Sequence, residues 1–519
     1  MPEDRTRISR HRAEHWPRYG LCLLVLYATV RTIVAAHIKP FWLDEILTCI
    51  IARQPTVASI WSAEWQGADG QPILFYLIER SVTFFPNAEI AMRLPSVAGL
   101  ACVLICLFAF VQRRSGAVYG LVSAAIAILT GLYIPYATEA RPYSMVAACI
   151  AVALVAYQRA SQLRWVCLMA LVLAMAECLH YYSLFALIPF AAAEAALSWQ
   201  TSKIRWRVWV VLMIGASPLA VFWPILAHSR ITYGARFWAQ PNLAALIHIY
   251  GDFLSVSSYL GLAVAIVCGV ALFGEFFAIA SRKSMLGHGK LLIGPDYKFL
   301  HEQVLVAFLL AIPLSVFVVA KVLRGGYTDR YVLYAVLGVP LAVGLILPRL
   351  ERRTLILFSA LLACSIAMQE ASFWFFPRQP LWQLQPPAAE AESLLANAGH
   401  SNLPVAVADP FEYPVLAYYA SPSFASRLAF VTNAANAESS ISDTVNKTFP
   451  LIAALYPFRI YDLQVWRSTH QPFLLYMGFE DLQDCWTDEL VHNDYALRIL
   501  ASDQSHMVLL VSGTGTAKQ

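Results

Sequence analysis

Apolar residues run in long stretches through the first 370 positions, broken by short polar or charged connections. A bilayer core of about 30 Å takes roughly 20 apolar residues per helix. On that ruler the pattern predicts spans near 19–38, 91–111, 117–136, 143–158, 165–180, 182–198, 208–227, 258–280, 303–322, 331–348 and 354–370, about eleven transmembrane helices. The first follows Arg5, Arg7, Arg10, Arg12 and Arg18. Its apolar run exceeds the roughly 7–15 residues of a signal-peptide core, so it is expected to remain as an anchor.

Beyond residue 370 the pattern shortens. Strand-like runs at Val405–Ala408, Leu428–Val431, Phe473–Tyr476 and Met507–Val511 alternate with helix-compatible stretches such as Pro414–Tyr419, which predicts a small α/β domain over 371–519. Ile73–Phe85 is apolar but holds Glu79 and Arg80 and is too short to span. It suits a helix lying in the interface plane.

Composition sharpens this picture. Hydrophobic residues make up 59% of the chain and charged residues 13%, against about 45–50% and about 25% in soluble domains. A soluble enzyme and a disordered chain are both excluded. From Ala371 onward 7 Lys/Arg stand against 14 Asp/Glu, and the remaining basic residues are scattered between apolar runs. No basic face exists for nucleic acid. The ten cysteines fall mostly inside apolar runs, with no CxxC or Cys/His metal spacing, as buried small residues would.

Charge also orients the chain. The N-terminus and even-numbered connections carry 19 Lys/Arg and the opposite connections 8. By the positive-inside rule the N-terminus, residues 1–18, is cytoplasmic, and the first loop, 39–90, and the tail, 371–519, lie outside. The fold class expected is therefore a polytopic α-helical membrane protein with a C-terminal extracytoplasmic α/β domain.

Ionisable groups near membrane depth are costly and mark function by default. On the outer side, four connections bring such groups to one level: Asp44 and Glu45, then Glu139 and Arg141, then His180, then Arg324, Asp329 and Arg330. Asp44, just past the interfacial Trp42, can act as a general base toward a hydroxyl arriving from water. The same Asp-Glu pair also fits a solvated loop acid or a helix N-cap. Arg141, beside Pro142 at a helix start, can hold a phosphate with its guanidinium fork, or snorkel to headgroups. His180-Tyr181-Tyr182 fits an interfacial anchor as well as a ligand contact. Asp329 and Arg330 fit a surface ion pair as well. Arg31 and Arg93 are expected to snorkel. Glu194 and Glu275 are assigned no role, and Asp409 reads as a turn acid.

Together these residues resemble the GT-C glycosyltransferases, in particular the bacterial family-39-like enzymes related to protein O-mannosyltransferases and the lipid A aminoarabinose transferase. The resemblance rests on Phe41…Asp44-Glu45, Gly70-Gln71-Pro72…Phe75-Tyr76, Arg93-Leu94-Pro95-Ser96, Glu139-Ala140-Arg141-Pro142-Tyr143, His180-Tyr181 and Asp329-Arg330-Tyr331, and it covers about residues 19–370. It implies a GT-C-like catalytic module over 19–370 in the bacterial cytoplasmic (inner) membrane, transferring a hexosyl or pentosyl group from a polyprenyl-phosphate sugar to an envelope glycan, lipid or protein. It further implies Asp44 as catalytic acid of the first loop, with Glu45 and Glu139 as accompanying acids. Arg141 and Arg330 fall where family members neutralise the donor phosphate, with Arg324 a third candidate. Tyr143, Gln71, His180 and Tyr331 are candidates to bind substrate. Several family members use a divalent cation, so Glu45, Glu139 and His180 are candidate ligands for Mg or Mn. The aminoarabinose transferase has Lys-Pro-Pro in its first loop where Gln71-Pro72 stands here, so the resemblance does not carry over its substrate. The alternative class is a multi-span transporter or lipid-linked sugar flippase, which would place its site nearer the midplane.

Overall fold

The computed structural model describes residues 2–130, 133–233, 238–253, 300–375, 387–432, 440–479 and 485–513. Among these, six helices are long and apolar enough to cross a membrane: His15–Ile38, Ala88–Ser115, Tyr181–Thr201, Trp206–Ile231, Asp329–Arg349 and Arg352–Trp374. Leu300–Leu310 and Ile312–Leu323 make a seventh if taken as one span, bent by 50°. The bend falls where Pro313 opens the second helix, since proline removes a backbone donor and crowds the preceding turn. Three more expected spans are helices of 11, 15 and 17 residues, Ala117–Ala127, Tyr143–Tyr157 and Leu163–Leu179. The expected span 258–280 lies outside the described residues. The polytopic helical architecture is thus borne out, although those three helices are short for a core of about 30 Å.

The chain divides into two compact units. The first comprises residues 1–36, 93–222 and 239–378. Its centre is Tyr143–Tyr157, apolar on every side, with every residue but Val152 buried. A helix without a polar face must be enclosed by others. It packs on Leu94–Ser115, where a Cβ on Gly99 would stand 2.8 Å from the Ser144 carbonyl oxygen. The glycine lets the backbones approach, and serine hydroxyls bond across the gap. Ser144 Oγ donates to Ser96 O at 2.8 Å, and Ser96 Oγ to Arg141 O at 2.9 Å.

Several charged groups in this unit find partners inside it. Arg93 does not snorkel: it is fully buried and donates to Ala36 O at 2.5 Å, because a helix end supplies an unused carbonyl. Arg31 likewise turns inward, 3.1 Å from Glu370 and over the Phe373 ring. Glu194 accepts a two-pronged pair from Arg205. Glu302, 1% exposed, receives Arg114 through both its Nε and a terminal nitrogen.

The second unit comprises residues 37–92, 223–238 and 379–519. Its helical part holds Leu43–Ala52, Val57–Gln66 and Ile73–Val82. Thr56 caps the second helix by accepting from Ser59 N, and Gly67 ends it in the left-handed region at φ 85°, a conformation that costs glycine little. Ile73–Val82 buries Phe75, Tyr76 and Glu79 and packs against Leu43–Ala52, so one face of the expected interfacial helix is taken up by protein. The α/β part carries β1 (Val405–Val407), β2 (Leu428–Thr432), β3 (Ile460–Asp462), β4 (Phe473–Gly478), β5 (Tyr495–Ser502) and β6 (His506–Gly513) in the order β3-β2-β1-β4-β6-β5. The first four run parallel, β6 antiparallel to β4 and β5 antiparallel to β6. β1, β2 and most of β4 are buried throughout, as parallel strands covered on both faces are. All four expected strand-like runs fall on strands.

Candidate active site

In the first unit the candidate residues gather where helices begin and end. Glu139 and Arg141 lie in the tight segment before Tyr143–Tyr157 and are buried, 7% and 2% exposed. Pro142 serves as N-cap of that helix. His180 ends Leu163–Leu179 in extended conformation, and its Nδ1 accepts from Tyr182 N at 3.2 Å. That bond starts a 3₁₀ turn, Tyr181–Ala186. Another 3₁₀ run, Asp329–Leu337, carries Arg330 and Tyr331. At nine residues it is far longer than the usual run of roughly 3–4, a form often found at functional hinges.

Aromatic rings join these pieces. Tyr143 lies 5.5 Å from Tyr136 and 5.4 Å from His180, centroid to centroid. His180 lies 5.2 Å from Tyr331, and Tyr331 4.7 Å from Tyr182. Three of the expected substrate residues, Tyr143, His180 and Tyr331, are therefore one cluster. Tyr136 Oη donates to Asp329 Oδ2 at 2.6 Å, and both Glu139 and Arg330 lie within its electrostatic reach. Asp329 also accepts from Thr328 at 2.7 Å. Arg324 is exposed at φ 54° where Ile312–Leu323 ends, and the Tyr182 hydroxyl donates to Gly326 O two residues on.

Sequence reasoning missed Glu177. It is 1% exposed, its Oε2 accepts from Ser183 Oγ at 3.1 Å, and its Oε1 has no partner among the described residues. It fastens the turn that follows His180. The signal was present: an acid inside an apolar run, one turn before that histidine. Tyr334, fully buried, also contributes by donating to Tyr182 O at 2.8 Å.

Asp44, Glu45 and Gln71 belong to the second unit. Asp44 occupies the first turn of Leu43–Ala52 and is half-buried. A carboxylate there is favoured by the positive end of the helix dipole. Glu45 is fully buried and folds back so that Trp42 N donates to its Oε2 at 3.4 Å. Its carboxylate is engaged by the helix start. Gln71, 3% exposed, holds an Oε1 with no hydrogen-bond partner among the described residues. Such an atom is costly to bury without a ligand or water. Beside it, Tyr76 Oη donates to Asp69 Oδ2 at 2.7 Å.

Among the described residues no group of three His, Cys, Asp or Glu side chains is placed to hold a metal ion.

No family model and no curated protein matches the chain. Solved structures do. ArnT from Cupriavidus metallidurans bound to undecaprenyl phosphate superposes with a TM-score of 0.54 at 11% identity, covering 94% of this chain and 97% of its own. The apo state of the same protein gives 0.53 at 12% identity, covering 96% and 98%. The chain shares the ArnT fold. That likeness bears out the GT-C-like architecture expected from the motifs, and because it runs nearly end to end it takes in the α/β tail, which the motif resemblance did not reach. At this identity the ArnT fold is what the comparison establishes.

Proposed function

We propose that this chain is a membrane glycosyltransferase that moves a sugar from a polyprenyl-phosphate carrier to an envelope acceptor on the extracytoplasmic face of the bacterial cytoplasmic membrane. The observation that carries the reading is the near-complete overlap with ArnT bound to undecaprenyl phosphate. It favours an enzyme over the transporter or flippase alternative.

The chemistry asks little of the protein beyond placement and charge. The acceptor oxygen attacks the anomeric carbon, its proton passes to the Asp44 carboxylate, and the bond from that carbon to the phosphate oxygen breaks with its electron pair leaving on phosphate. Positioned acid–base groups supply about 10²–10⁴-fold. Arg141 and Arg330 neutralise the departing phosphate, and a guanidinium does this better where water is scarce. Tyr143, His180 and Tyr331 offer ring faces and edges to the sugar. Gln71 Oε1 is available to accept from a substrate hydroxyl. Displacement is direct, with inversion and no covalent glycosyl-enzyme.

The test is incubation of purified protein with radiolabelled polyprenyl-phosphate sugars and membrane acceptors in the absence of any gradient. Covalent transfer of label with inverted anomeric configuration is expected. Retention of configuration would refute the single displacement, and absence of covalent transfer across the donors would refute the enzyme reading.

A further inference from the structure

The α/β domain reaches the first loop through two adjacent tyrosines. Helix Glu412–Tyr419 follows β1 after the turn at Asp409, whose Oδ1 accepts from Phe411 N at 2.6 Å. At its end the Tyr419 hydroxyl is used in both directions. It accepts from Phe41 N at 2.8 Å and donates to Glu89 Oε1 at 3.2 Å. One oxygen thus ties the residue before Trp42, the short helix Ala88–Ala91 and the α/β domain together. Tyr418 meets the far end of Leu43–Ala52, the helix that begins just after Trp42. Its hydroxyl lies 3.5 Å from Cys49 Sγ and accepts from Arg53 at 3.5 Å, while its ring lies 6.2 Å from that of Phe41. Gln54 Nε2 adds a bond to Leu455 O at 3.3 Å. Phe41 and Cys49, on either side of Asp44, are each 1% exposed.

We propose that Tyr419 is a positioning residue for Asp44: its hydroxyl fixes the backbone at Phe41 and so sets where the first turn of Leu43–Ala52 presents the carboxylate. The proposal rests on the glycosyltransferase reading, in which Asp44 takes the acceptor proton. Proton transfer tolerates little displacement, and a shift of about 1 Å can cost on the order of 10²-fold in rate. The α/β domain is then part of the catalytic apparatus through a hydroxyl 378 residues from the amide it holds. Glu89 accepts from that hydroxyl.

The experiment compares wild type, Tyr419→Phe, Glu89→Gln and Glu89→Ala in full-length protein. Each is assayed for transfer from a radiolabelled polyprenyl-phosphate sugar and for amide hydrogen exchange across residues 41–52. Tyr419→Phe keeps the ring and removes the hydroxyl. It is expected to lower kcat by about tenfold, the worth of one hydrogen bond, with KM for the donor unchanged. Exchange at Phe41 and the first turn is expected to speed up by a similar factor, while the strands of the sheet stay as protected as before. Glu89→Gln keeps an acceptor and is expected to match wild type, whereas Glu89→Ala falls toward Tyr419→Phe. Wild-type kcat in Tyr419→Phe overturns the proposal, whatever the exchange shows, and so does a change in KM alone. If wild type itself transfers nothing, the glycosyltransferase reading falls, and the exchange arm still decides whether Tyr419 holds the helix.

Discussion

Removal of Arg114 should destabilise the first unit through the charge it leaves behind. Arg114 lies in the last turn of Leu94–Ser115, where a cation also complements the helix dipole. Its partner Glu302 is 1% exposed. Glu302 takes Arg114 Nε at 2.6 Å and Gln158 Nε2 at 3.2 Å, with His301 Nε2 3.9 Å away. Breaking a buried pair by deleting one partner costs about 3–5 kcal/mol, because the remaining ion keeps its desolvation penalty. Gln158 and His301 stay in Arg114→Ala, so the lower end, about 3 kcal/mol, is expected. At ~2 °C per kcal/mol for a unit of this size, the midpoint of thermal unfolding in detergent should fall by about 6 °C. The double variant Arg114→Ala/Glu302→Gln removes the stranded charge and should recover most of that loss. The readout is the difference between the two midpoints. A double variant no more stable than the single one would refute the electrostatic reasoning and place the cost in the packing of the arginine stem.

Two further outcomes follow from packing and burial. Gly99→Ala should cost about 1–3 kcal/mol by overpacking, since the added methyl meets backbone at Ser144, and thermal unfolding in the same detergent checks it. Cys49 is buried beside Tyr418, and burial raises its thiol above the ordinary value while the Tyr418 hydroxyl and Arg53 only partly offset this. It should resist alkylation near neutral pH in the folded protein and react after unfolding, which mass spectrometry of the tryptic peptide reads directly.

Much of the helical architecture was legible because each span's apolar length is a local property. Tyr143–Tyr157 shows this: it carries no polar face, and it is the helix the others enclose. The strands of the tail were legible for the same reason, but their order was not, since β1 pairs with β2 and β4 through contacts that no local pattern encodes. Among the candidate residues, Tyr143, His180 and Tyr331 meet through rings at the ends of separate helices. Arg93, expected to snorkel, turns inward instead, and Glu45 closes back on its own helix start. Sequence shows a charge but not the backbone group waiting for it, here Trp42 N and Ala36 O. The pairing of Glu194 with Arg205 spans a helix connection, which the local pattern does not encode. Tyr419 carried no signal at all, because its meaning depends on residue 41.

The central claim is that a sugar leaves a polyprenyl phosphate while Asp44 takes the acceptor proton. It is tested most directly by the turnover of Asp44→Asn, inserted in the membrane at wild-type level, with a polyprenyl-phosphate sugar as donor. The account predicts a fall of about 10²–10⁴-fold in kcat with donor binding retained. Turnover within a fewfold of wild type would contradict it.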